Sequence, residues 1–320
     1  MARCRILESN SGITSHSCPS LEERRCVLLD GFINFLKPPG MSSHDAVNCV
    51  RHALGLKKAG HAGTLDPGAA GVLPVAVGRA TRLLEYVGDG RKTYRAELCF
   101  GAETDSGDDL GAIVAESGAP MPDEAAVSRA VQKLTGRIEQ TPPIFSAVKV
   151  GGRRACDLAR KNETIEIPAR IVEIYRLEVL ARREAEKTLL LDVECSKGTY
   201  IRSLCRDLGR LTGALAAMRF LVRSRVGDFF LENAHTPEEL QALGEAAVEP
   251  PEKYLGGLFR YELPEARKKA FLHGLPTRIE EILETEKPIA VFSGGAFLGV
   301  GRFDKDESSL AAEKVYGIAE

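Results

Sequence analysis

Between Gly60 and Gly68 the chain reads Gly-His-Ala-Gly-Thr-Leu-Asp-Pro-Gly, with one carboxylate, Asp66, among residues that suit neither helix nor strand. Gly60, Gly63, Pro67 and Gly68 impose unusual backbone paths, and Gly71 and Pro74 follow closely. The segment is therefore expected to be a loop of defined shape that holds Asp66 in place, with His61 just upstream. A carboxylate held in this way can act as a nucleophile or as a general acid or base.

Three further residues have the types and settings for chemistry. Tyr94 lies in Lys92-Thr93-Tyr94-Arg95 at the start of an alternating stretch, and Tyr200 lies in Gly198-Thr199-Tyr200-Ile201-Arg202 at a loop-to-helix junction. A tyrosine among cations can stack on a nucleobase while the cations meet phosphate. Arg202 could pair with a carboxylate and favour its ionised form. Other chemistries lack their motifs: the chain has no Gly-x-x-x-x-Gly-Lys-Ser/Thr phosphate loop, no Gly-x-Ser-x-Gly nucleophile turn and no His-x-x-x-His pair. The acidic run Thr104 to Gly111 lacks the spacing of a calcium loop and is expected to be a solvated loop. The eight cysteines are scattered without a Cys-x-x-Cys pair, so they read as reduced core residues, and no metal site is expected.

These residues need elements to position them. Gly31 to Leu36 reads as a strand ending at Lys37-Pro38-Pro39-Gly40, and Ser42 or Ser43 caps a helix stopped by Gly55. Strands are expected at Val72 to Val77, Thr93 to Phe100, Ser146 to Val150, Ile171 to Leu180 and Thr188 to Cys195. Helices are expected at Arg79 to Val87, Pro122 to Leu134, Ala155 to Lys161 and Ile201 to Leu211. Beyond Pro250-Pro251 the texture changes to short apolar stretches separated by glycines, including Pro288 to Phe292 and Ala296 to Val300. That pattern suits a small β-rich module. The expected division is an extension over residues 1–29, a main domain over 30–250 and a C-terminal module over 251–320.

At 320 residues and 44% hydrophobic, the chain has an ordinary globular composition. No apolar run approaches the ~18 residues of a membrane span, and the first residues lack a secretory core, so a cytoplasmic protein with no membrane partner is expected. The net charge of −2 conceals an asymmetry. Residues 149–225 carry 17 Lys or Arg against 10 Asp or Glu, and residues 51–95 carry 8 against 3, whereas 226–290 carry 7 against 13. Two basic stretches and an acidic one suit a protein with one polyanion-facing surface.

Taken together, Leu36-Lys37-Pro38, Gly-His-Ala-Gly-Thr-Leu-Asp-Pro, Lys-Thr-Tyr-Arg and Ser-Lys-Gly-Thr-Tyr-Ile-Arg-Ser-Leu resemble, in this order, the motifs of the TruB family. These are the bacterial synthases that make pseudouridine at position 55 of tRNA. The resemblance runs from about Gly31 to Leu240, and the tail from about Leu258 resembles less sharply the PUA RNA-binding module. It implies an α+β fold, a mixed and largely antiparallel sheet flanked by helices, with a small β-rich C-terminal domain. It implies that Asp66 is the catalytic aspartate, that Tyr94 lies against the target uracil as the family's candidate base, and that Arg202 pairs with Asp66. Tyr200 would pack in the same pocket, His61 would help to reorganise the T loop around the flipped nucleotide, and Lys37 would support the pocket structurally. The implied partner is the tRNA T arm, met by a monomer without guide RNA, cofactor or metal. Two alternatives stay open: an RNA-binding or tRNA-folding protein, and a guide-dependent synthase acting on ribosomal RNA.

Overall fold

The computed structural model describes residues 29–88, 90–161, 166–279 and 285–318, so the expected N-terminal extension lies outside the described residues except for Leu29. The first half comprises β1 (Gly31–Lys37), α1 (Ser43–Leu54), β2 (Ala59–His61), β3 (Ala70–Val77), α2 (Leu84–Gly88), β4 (Lys92–Phe100), β5 (Ala102–Thr104), β6 (Ile113–Glu116), α3 (Glu124–Lys133) and β7 (Gly136–Gln140). It continues with β8 (Lys149–Val150), β9 (Arg153–Arg154), α4 (Ala155–Ala159), β10 (Arg170–Arg183), β11 (Thr188–Cys195), α5 (Ile201–Thr212), β12 (Ala216–Val226), β13 (Phe229–Phe230) and α6 (Pro237–Leu243). Among the described residues, nine strands form the main sheet in the order β1-β3-β12-β4-β11-β10-β7, with β2 on β3 and β13 on β12. Among the described residues of this sheet only β12 and β3 pair in parallel; the other pairs in it are antiparallel. This is the mixed, largely antiparallel sheet expected.

The elements that carry the site follow from local chemistry. Ser42 caps α1 in a capping box with Asp45, and Gly55 ends the helix in the left-handed region. The helix α5 buries Ile201, Leu204, Cys205 and Leu208 at helical spacing against Leu98, Leu191 and Val193 of the sheet. Its first turn thereby carries Arg202 to the sheet. Tyr200 caps α5 without using its side chain; instead the Gln140 amide accepts from Tyr200 N at 2.8 Å and donates to Tyr200 O at 3.2 Å. On the other flank, α1 and α6 pack on Ile33, Phe35, Leu73 and Val75.

The local expectations need four corrections. The segment Arg79 to Val87 is a tight 3-10 turn over Gly78–Leu83 followed by the short α2, rather than one helix. The strand expected over Ser146 to Val150 shrinks to β8 in a two-residue hairpin with β9. Ala216 to Val226, where the sequence pattern predicts no element, is the inner strand β12, between β3 and β4. Finally, Thr104 to Gly111 is not a solvated loop. Its backbone is fastened to β12 through Asp109 N to Met218 O at 2.9 Å and Met218 N to Gly107 O at 3.0 Å, and this turns it towards Arg202.

The C-terminal residues form β14 (Phe259–Glu262), α7 (Glu265–Leu272), β15 (Thr277–Arg278), β16 (Ile289–Ser293), β17 (Ala296–Asp304) and β18 (Ser309–Val315), with sheet order β14-β16-β17-β18-β15. This β-rich module shares a core with the main domain. Phe32, Phe229 and Tyr254 pack in one cluster with Ala290, Phe292, Phe297 and Val300, and Phe229 stacks on Tyr254 at 3.7 Å between centroids. Arg79 joins the two modules by pairing with Asp30 at 2.6 Å and donating to Tyr316 O at 2.8 Å.

Candidate active site

Asp66 lies between β2 and β3, and the loop that carries it is closed by bonds at both ends. Ser43 Oγ donates to Leu65 O at 3.0 Å and accepts from Leu65 N at 2.9 Å, while Gly40 N donates to Pro67 O at 2.8 Å. Gly63 takes a positive φ of 74° within this loop, which favours glycine. The Asp66 carboxylate, 37% exposed, opens onto a cavity of about 430 Å³ also lined by Ser106, Asp108, Phe145, Cys156 and Arg202.

Arg202 reaches Asp66 from the first turn of α5. Its Nε lies 2.9 Å from Asp66 Oδ2 and its Nη2 donates to Asp66 Oδ1 at 3.1 Å, the two-point geometry that fixes a carboxylate in orientation as well as position. The guanidinium is itself held by donation to Ser106 O at 2.8 Å and to Phe145 O at 3.0 Å, and Asp108 Oδ2 lies 3.8 Å from its Nε. Only 5% of the Arg202 side chain is exposed, so water competes little for these bonds.

Behind the Asp66 loop lie Lys37, Tyr94, His61 and one residue that sequence reasoning missed, Arg223. The Lys37 ammonium donates to Met41 O at 2.7 Å, Pro38 O at 2.9 Å and Pro67 O at 3.4 Å, tying the Lys-Pro turn to the residue after Asp66. Tyr94 on β4 is buried, and burial pushes its phenol up to about 12 despite the Arg223 cation, so it holds its proton at neutral pH. His61 ends β2 with a buried Nδ1 that has no hydrogen-bond partner, and burial, helped by Arg223 and His44, pushes its imidazole below the usual range. Arg223 on β12 is 1% exposed and donates to Val72 O and Gly63 O. The one sequence signal for it was an arginine amid the apolar residues of Ala216 to Val226. Tyr200 does not line the cavity. Its ring faces Arg170, whose guanidinium carbon sits 4.6 Å from the centroid.

Lys37 has a measurable consequence. Burial lowers its ammonium from an ordinary 10.5 to about 8, an effect that Asp66 partly offsets and Arg223 reinforces. Between those values the unfolded chain binds a proton that the folded chain does not, so stability rises with pH there. Below about 8 both states are protonated and the fold carries the full cost of a buried charge. Relative to Lys37→Met, the wild type is expected to gain up to about 3 kcal/mol between pH 7 and pH 10.5. Urea denaturation of both proteins at the two pH values checks this, and a pH-independent difference would show that the ammonium keeps its ordinary proton affinity in the fold.

The overall fold superposes on solved ribonucleoprotein and Cbf5 complexes. A Cbf5-Nop10-Gar1 complex superposes with a TM-score of 0.71 at 27% identity, covering 92% of this chain and 88% of that one. An H/ACA ribonucleoprotein bound to a substrate RNA containing 2′-deoxyuridine shares the fold with a TM-score of 0.71 at 24% identity, covering 93% of this chain and 89% of that one. The fold is thus that of the pseudouridine synthases. Residues 51–201 match the TruB family pseudouridylate synthase N-terminal domain, and residues 202–260 match the tRNA pseudouridylate synthase B C-terminal domain. The tRNA pseudouridine synthase B of Symbiobacterium thermophilum is 50% identical over 77% of this chain and 83% of its own length. That of Caldanaerobacter subterraneus subsp. tengcongensis is 42% identical over 85% and 95%. The chain belongs to the TruB family of pseudouridylate synthases.

Proposed function

We propose that this enzyme isomerises uridine 55 in the T loop of tRNA to pseudouridine, with Asp66 as its catalytic carboxylate. The observation that carries the reading is the two-point pairing of Asp66 with the buried Arg202 at the head of an open cavity. The tRNA substrate is supported by the relatives named tRNA pseudouridine synthase B, which cover most of the chain.

The reaction breaks the bond from uracil N1 to the ribose C1′, turns the base and rejoins it through C5; the C5 proton leaves and N1 gains one. The Asp66 carboxylate can attack C1′ as a nucleophile. Alternatively it can assist loss of uracil while the 2′ proton is removed, giving a glycal. Arg202 fixes the carboxylate for either route. Tyr94 lies against the uracil and, holding its proton, serves there first as a hydrogen-bond donor. His61 meets the reorganised T loop and Lys37 braces the Asp66 loop, while Tyr200, engaged with Arg170 outside the cavity, takes no place beside the flipped nucleotide. Residues 251–320 act as a PUA-like RNA-binding module. Extruding the uridine costs a few kcal/mol, which stacking and phosphate contacts offset.

The test is site-by-site mapping of pseudouridine in an unmodified tRNA transcript incubated with the purified protein alone. Product at position 55 and nowhere else is expected. Bound tRNA without product would favour the RNA-folding reading, or a guide-dependent enzyme like the assemblies that share its fold. Binding should also weaken steeply with salt, because Lys and Arg release counterions from phosphate. With about six phosphate contacts the loss between 50 and 200 mM salt is on the order of 1000-fold. A flat response in a filter-binding titration would mean that the two basic stretches face away from the RNA.

A further inference from the structure

Arg223 is the largest of the fully buried side chains, and among the described residues no carboxylate lies within 4.0 Å of its guanidinium. An unpaired buried cation is costly, so its retention calls for a reason in its surroundings. Its backbone is flanked by Gly71 of β3 on one side and Tyr94 of β4 on the other. Gly71 has a φ of 114°, and a Cβ there would come within 2.2 Å of Arg223 O, so only glycine lets the strands close around this position. The guanidinium donates from Nε to Val72 O at 2.8 Å and from Nη2 to Gly63 O at 2.9 Å. Tyr94 stands directly opposite on β4, and its phenol and the guanidinium act on each other electrostatically. One cation therefore holds the loop leading into Asp66 and the strand leaving it, next to the phenol of the neighbouring strand. Burial on its own pushes the Tyr94 phenol up, and Arg223 acts against that push.

We propose that Arg223 is the positioning residue of this site: clamped on the Val72 and Gly63 carbonyls, it occupies the Tyr94 phenol oxygen and leaves the phenol proton free to be donated to the nucleoside. An arginine suits this task better than a lysine, because its rigid fork can hold two carbonyls and a hydroxyl at fixed angles while a lysine presents a single point. A purely structural role, satisfying the two backbone carbonyls, would act independently of Tyr94. The two roles therefore differ in their coupling to Tyr94.

The proposal rests on the reading of this site as the one that isomerises uridine, and its test is a double-mutant cycle on the full chain with unmodified tRNA transcript. Single-turnover rates and tRNA dissociation constants are measured for the wild type, Arg223→Lys, Tyr94→Phe and the double variant. Arg223→Lys is expected to slow turnover about 100-fold, the scale of a small misplacement of a reacting group, with tRNA affinity changed less than about two-fold. In the Tyr94→Phe background the same substitution is expected to cost little more, because the two groups act as one. An unchanged rate in Arg223→Lys, or losses that multiply, overturns the proposal. Should Arg223→Lys not fold, or Tyr94→Phe turn over too slowly to measure, ¹⁵N spectra of the unaltered guanidinium decide. The Arg223 Nε–H resonance shifts in Tyr94→Phe if the contact exists, and stays in place if it does not. A wild type that makes no pseudouridine would overturn the functional reading, whereas the spectra report the contact independently of turnover.

Discussion

Asp66→Asn is expected to abolish pseudouridine formation while the protein still binds tRNA. Asparagine has the shape of aspartate and keeps an oxygen to accept from Arg202, so the loop bounded by Ser43, Gly40 and Pro67 should keep its form. What is lost is the negative charge and with it the ability to attack C1′ or to stabilise a departing base. Removing a nucleophile or its charge commonly costs 10³-fold or more, so the single-turnover rate should fall at least about 1000-fold. Binding should stay within about two-fold or tighten slightly, since a carboxylate facing a polyanion contributes no attraction. Quenched-flow measurement of product beside a filter-binding titration separates the two quantities. An asparagine variant that turns over at a rate comparable to the wild type would remove Asp66 from the chemistry altogether.

How far the chain could be read in advance follows from the kind of signal each residue gave. Asp66 and Arg202 were legible because they sit where periodicity breaks, in a glycine-bounded loop and at a helix start, and such breaks stand out in a single sequence. The helix α5 was legible because Ile201, Leu204, Cys205 and Leu208 repeat at helical spacing. The strand β12 was not, for two physical reasons. Arginines at 219, 223 and 225 mask its apolar content, and two bulges, between Met218 and Phe220 and between Arg223 and Arg225, break the two-residue alternation that marks a strand. Arg223 was lost with it, because burial of a cation is decided by neighbours on β3 and β4 that are distant in sequence. The loop Thr104 to Gly111 hides its setting for a related reason. Its acidic residues read as solvated, but its backbone finds partners on β12 and its Ser106 carbonyl finds Arg202. In each case the chemistry of the residue was visible and the long-range partner was not.

That dependence on distant partners makes Arg202 the second residue whose loss should be severe, and in two separable ways. Arg202→Met replaces a buried guanidinium with a side chain of similar length that suits a helix, so α5 itself should persist. Five contacts disappear together: two to Asp66, one to Ser106 O, one to Phe145 O and the longer ion pair with Asp108 Oδ2. The Ser106 and Phe145 carbonyls lose their charged donor, which costs on the order of 1–3 kcal/mol each when no water replaces it. The Asp66 end adds less, because that carboxylate is more than a third exposed and solvent screens it. A loss of about 2–6 kcal/mol in urea denaturation is therefore expected. The kinetic effect should be larger than the fraction unfolded explains. Without its two-point clamp the carboxylate can rotate away from the sugar, and misplacement on that scale slows a reaction about 100-fold or more. Combining Arg202→Met with Asp66→Asn should then slow turnover hardly further than Asp66→Asn alone, since a clamp is useless without the charge it aims. If Arg202→Met instead reacts at nearly the wild-type rate per folded molecule, the pair holds the fold together and the orientation of Asp66 comes from the loop alone.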